Sequence, residues 1–169
     1  MSQRDLFYKW LFYCLLALGW MALQQLVLNR CTWWGGVHPF VWPMVPVMIA
    51  LLEKRADSCT FALCGGLLCD LLAPGVIPGF YLLTFLICAL LAGLIAGRVI
   101  LPGFLCAFVC SVVAFLASDL LLMLFLSSSV KFSGAEAFSL MGKELLLSLL
   151  LFAPVYLSFR LIRRRIHND

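Results

Sequence analysis

Charge is what this sequence has least of: Asp, Glu, Lys and Arg make up 12% of its 169 residues, about half the share usual in a soluble domain. A water-soluble globule of this length with so little polar surface would expose an aggregating apolar patch, which argues against a soluble enzyme or a disordered scaffold. The twelve Lys and Arg give a net charge of +4 but are dispersed except near the end of the chain, so no basic face for nucleic acid is present. Histidine is down to two residues, His38 and His167, and no Cys-x-x-Cys pair occurs, which removes the usual zinc spacings. Equally missing are HExxH, GxSxG, a P-loop and a Rossmann glycine run, and the expectation is a non-enzyme with no cofactor and no metal. The longest polar stretch is 127–137, too short for an extramembrane catalytic domain.

What the chain does have is grease. Apolar residues make up 64% of it, and six runs approach the roughly 20 residues that a membrane-crossing helix needs. The expected all-α architecture therefore has six spans in a single integral domain, at about 6–28, 38–52, 59–73, 80–97, 103–126 and 140–159. The second and third are short, and the second carries Pro39, Pro43 and Pro46; irregular backbone at membrane depth survives only where protein or a water-filled cavity covers it. Arg4 and Lys9 ahead of the first run resemble a signal peptide in outline, but Gln24, Gln25 and the lack of a small-residue cleavage site point to a retained span. Of the eight cysteines, Cys14, Cys59, Cys64, Cys69, Cys88, Cys106 and Cys110 lie inside apolar runs, where a thiol acts as a small hydrophobe.

Basic residues set the orientation. With both ends of the chain cytoplasmic, the inside collects Arg4, Lys9, Lys54, Arg55, Arg98, Arg160, Arg163, Arg164 and Arg165, and the outside keeps Arg30, Lys131 and Lys143. This bias also favours an even number of spans. The run at 163–165 pins the last helix to the cytoplasmic leaflet, with membrane lipid as a contact.

Ionisable residues within spans are functional-site candidates. Asp70 lies near the outer end of the third span, Asp119 in the outer half of the fifth, and Lys143 and Glu144 begin the sixth on the same side. A carboxylate at that depth protonates or finds a cation, so Asp70, Asp119 and Lys143 are expected to form an outer-half polar cluster. Such a cluster would serve ligand or ion coupling or the binding of a partner; the blander alternative is that Asp70 caps broken backbone at the following turn and Asp119 hydrogen-bonds a neighbouring helix. Small residues mark packing seams: Ala89, Gly93 and Gly97 in the fourth span, Cys106, Cys110, Ala114 and Ser118 in the fifth, and Ala62 and Gly66 in the third. The first of these stripes is a candidate contact face for a partner as well as for internal packing.

The stretch 65–79, reading GGLLCDLLAPGVIPG and followed by an apolar span, resembles the G-L-L-x-D-L-L signature of the rod-shape-determining membrane protein family MreD. Length, six runs and a short basic tail agree with that family along the whole chain; the motif itself covers only this stretch. The family more often has glycine or serine where Pro74 and Pro78 stand. The resemblance implies a fold similar to the substrate-binding subunits of energy-coupling-factor transporters and a non-catalytic role in cell elongation. It implies pairing with the bitopic protein MreC, linked to MreB, RodA and penicillin-binding protein 2, in a bacterial cell membrane. The motif positions carried over are Gly65, Gly66, Asp70, Gly75 and Gly79. The rival expectation is a vitamin-binding transporter subunit; against it, Ala17 and Ala22 are five apart, not at the four-residue spacing that such subunits use for docking.

Overall fold

The computed structural model describes residues 3–30, 36–72, 77–96, 98–99, 103–126 and 134–168. Among these there is no strand, and there are seven α-helices: α1 (Gln3–Leu26), α2 (Met44–Leu52), α3 (Arg55–Leu72), α4 (Phe80–Ile95), α5 (Phe104–Leu126), α6 (Gly134–Leu150) and α7 (Phe152–Asn168). The stretches Leu6–Arg30 and Phe104–Phe125 are long and apolar enough to cross a membrane, and the bent pair Phe138–Leu150 and Phe152–Arg165 makes a third if counted as one span. The apolar helices are thus compatible with a multi-pass membrane protein.

The hub is α2. Residues 41–50 are all buried, and α2 packs against α3, α4, α5 and α7. A helix apolar all round belongs inside a bundle, and the prolines that make this run look defective suit its start. Pro43 is the residue before the first turn and Pro46 lies within that turn, where backbone N–H groups have no intrahelical acceptor to lose. The other helices close a ring around it: α3 against α4, α4 against α5, α5 against α6 and α7, and α7 against α1. The ring closes between α1 and α3, where Trp10 stacks on Phe61 with centroids 6.2 Å apart and the Cys69 thiol lies 3.6 Å from the Met21 sulfur.

The extended backbone leading into α2 is satisfied by side chains from distant helices. Gln24 of α1, itself buried, accepts the Val41 N–H at 2.9 Å and donates to the Pro39 carbonyl at 2.8 Å. Ser148 of α6 accepts the Phe40 N–H at 2.8 Å. Buried backbone groups without such partners would each cost roughly 1–3 kcal/mol, so these contacts let irregular chain lie in the interior.

The expected sixth span is two helices. They meet at Leu151 with a bend of 43°, and the cause is local: Pro154 has no N–H to offer the Leu150 carbonyl, and its ring crowds that carbonyl. Leu151 instead donates to Ser148 at 3.0 Å, a tighter turn that redirects the chain.

Candidate functional site

The residues of the glycine and aspartate motif converge on the α3–α4 contact. Along α3, Ala62, Gly66 and Cys69 are buried while Leu63, Leu67, Leu68 and Leu71 are exposed, so the small residues face inward and the leucines outward. A Cβ on Gly66 would lie 2.6 Å from the Leu82 Cα and 2.8 Å from the Tyr81 carbonyl oxygen; only hydrogen fits there. One turn on, the Asp70 carboxylate accepts the N–H of Tyr81 at 3.1 Å and that of Leu82 at 3.0 Å. These are the second and third residues of α4, whose N-cap is Gly79 with φ +80° and no side chain to cap with. Asp70 therefore performs from a neighbouring helix the task that a Ser or Asp N-cap normally performs from within, and its negative charge complements the α4 dipole.

Gly65, by contrast, has room: a Cβ there would meet Phe85 at an ordinary 3.6 Å. Gly75 and Gly97 lie outside the described residues.

The expected cluster of Asp70, Asp119 and Lys143 is not assembled among the described residues. Asp70 is engaged on α4, and Lys143 is exposed, with no carboxylate of the described residues within ion-pair distance. The neighbour that Asp119 does have is Glu144, whose carboxylate interacts with it electrostatically. Successive helical residues point about 100° apart, so Lys143 and Glu144 cannot share a face. Glu144 lies on the side of α6 that also carries buried Leu147 and Ser148, a spacing of three and four residues visible in the sequence.

Of the stripe through Ala89, Gly93 and Gly97, the first residue is internal. Ala89 is fully buried in the core with Cys88 and Ala92, so it offers no free face to a partner. Gly93 supports the Arg55 side chain of α3, whose Nε would lie 3.5 Å from an added Cβ. The small residues of α5 do form the seam expected of them: Cys106, Cys110, Ala114 and Ser118 are all buried, and the Cys88 thiol of α4 meets the Ala114 carbonyl and the Ser118 hydroxyl, each at 3.7 Å.

At the opposite end of the bundle lies a site that composition and charge counting miss. Lys9 of α1 forms an ion pair with Glu53 at the end of α2, and the Tyr13 hydroxyl donates to the same carboxylate at 3.1 Å. The side chains of the pair are only 13% and 8% exposed. The two residues are 44 positions apart, and no local pattern connects them. Among the described residues, no three His, Cys, Asp or Glu side chains converge to hold a metal ion.

No family model matches the chain, and no curated protein or solved structure is significantly similar to it.

Proposed function

We propose that this chain is a multi-pass scaffold of the MreD kind, with six passes through a bacterial cell membrane, both ends cytoplasmic and a fold similar to energy-coupling-factor substrate-binding subunits. Its task is to hold an MreC-like single-span protein, and through it RodA, penicillin-binding protein 2 and MreB, in a fixed arrangement during cell elongation. It acts by helix contact and performs no chemistry.

The observation that carries this proposal is the use to which the signature is put. Gly66 gives α4 its close approach and Asp70 holds the first turn of α4, so the motif serves the architecture of a rigid bundle. Motif residues consumed in this way suit a docking body better than a reaction centre. Depleting the chain from the cells that make it tests the proposal: loss of rod shape is expected, and cells that keep their shape but lose uptake of a small nutrient would contradict it.

A second reading, a transporter's substrate-binding subunit, draws on one observation. The Trp42 Nε1 and Thr84 Oγ1 atoms are buried without a hydrogen-bond partner, and Trp42 packs edge-on against Tyr81, centroids 4.7 Å apart. Buried polar groups of that kind can serve a ligand.

A further inference from the structure

We propose that the arginines gathered at the Lys9–Glu53 end of the bundle form a binding surface for the phosphates of anionic phospholipids. The level of this end is fixed by contacts. The Tyr13 ring stacks on Phe159 with centroids 6.2 Å apart, and its hydroxyl reaches Glu53, where the apolar helix α2 stops. Aromatic rings paired with cations mark the same level: Lys9 lies 5.6 Å from the Trp10 ring and Arg160 lies 5.8 Å from the Tyr156 ring. Such rings favour the boundary between hydrocarbon and headgroups.

Beyond Phe159, α7 carries Arg160, Arg163, Arg164 and Arg165, all exposed. Arg160, Arg163 and Arg164 share one helix face by their spacing of three and four. Lys54, after α2, and Arg98, after α4, are exposed at the same end, because Arg55 beside Lys54 lies against Gly93 near the close of α4. Of the described carboxylates at this end, that of Glu53 is already taken by Lys9, which leaves the exposed Asp57 in the first turn of α3 against these six exposed Lys and Arg.

Reach selects the occupant. At about 1.5 Å per residue, Arg160, Arg163 and Arg164 stand at most about 2, 6 and 8 Å beyond Phe159 whatever the tilt of α7, within a headgroup layer about 5–8 Å deep on each side of the hydrocarbon. The guanidinium groups are therefore held among lipid phosphates, for which their planar fork is suited, and not out in the aqueous phase where a soluble acidic protein would meet them.

The test uses the full chain in phosphatidylcholine vesicles, with spin-labelled phosphatidylglycerol or spin-labelled phosphatidylcholine as the probe. Phosphatidylglycerol is expected to be enriched at the protein surface, by roughly fivefold for each arginine engaged. The enrichment is expected to fall toward parity with rising salt and in the Arg160→Gln, Arg163→Gln, Arg164→Gln, Arg165→Gln combination, and to persist in reduced form when the same four are changed to Lys, which keeps the charge but not the fork. Equal association of the two lipids with the unaltered chain overturns the proposal, whether or not the glutamine combination folds. Displacement of the labelled lipid by inorganic phosphate, at an ionic strength where chloride leaves the enrichment intact, also overturns it, since the site would then take free phosphate and not a membrane headgroup.

Discussion

The Asp70 carboxylate on α3 holds the Leu82 N–H of α4 at 3.0 Å, across a contact so close that Gly66, one turn earlier, has no room for a methyl group. Charge and smallness act here as one device. The glycine lets the first turn of α4 approach, and the aspartate satisfies the N–H groups that the approach buries.

Removing the cap separates its two contributions. Asp70→Ala leaves the Tyr81 and Leu82 N–H groups without a protein acceptor and is expected to cost about 1–2 kcal/mol. Asp70→Asn keeps an acceptor oxygen but loses the charge that faces the helix dipole, and is expected to cost less. Thermal unfolding in mild detergent ranks the two; equal stability of Asp70→Ala and the unaltered chain would remove the cap from the account.

The paired glycines make an internal control. Gly66→Ala pushes a methyl group into the α4 backbone and is expected to cost about 1–3 kcal/mol or more. Gly65→Ala meets only Phe85, at an ordinary distance, and is expected to change stability by less than about 0.5 kcal/mol. Unfolding midpoints that reverse this order would contradict the α3–α4 geometry.

Breaking the ion pair at the other end leaves a charge stranded. Lys9→Met or Glu53→Met alone is expected to destabilise by about 3 kcal/mol, because one partner of a mostly buried pair remains without the other. Replacing both with methionine is expected to recover much of the loss, with Tyr13 giving up its acceptor. A double-mutant cycle measures this coupling, and additive losses would show that the pair contributes nothing as a pair.

At the α5–α6 contact the expected signs differ between adjacent residues. Lys143→Gln alters an exposed side chain and is expected to be neutral within about 0.5 kcal/mol. Glu144→Gln removes one of two neighbouring carboxylates and is expected to raise the unfolding midpoint. A large loss from Lys143→Gln would restore the cluster expected from the sequence.

The sequence shows the surround of this fold more clearly than its centre. Helices α3, α4 and α5 fall close to the runs expected at 59–73, 80–97 and 103–126, because proline and glycine interrupt the apolar pattern between them, at 74–79 and 97–103. The role of α2 is hidden, since hydropathy scores a short proline-bearing run as a poor span and cannot show that four helices cover it. Gln24 and Ser148 act on backbone 17 and 108 positions away, a range at which no periodicity operates. Pro154 is visible, yet hydropathy averaged over 140–159 runs straight through it. At the site, the inward pair Ala62 and Gly66 of α3 is legible from its four-residue spacing; the choice of Glu144 over Lys143 turns on helical phase, which depth alone does not resolve.

Capturing the tagged chain from its own membranes in mild detergent and weighing what accompanies it intact tests most directly whether it acts by docking. A single-span membrane polypeptide in fixed ratio with the chain is the predicted companion. A small organic molecule lodged between the helices, or a pair of ATP-hydrolysing subunits in place of that polypeptide, would contradict the account.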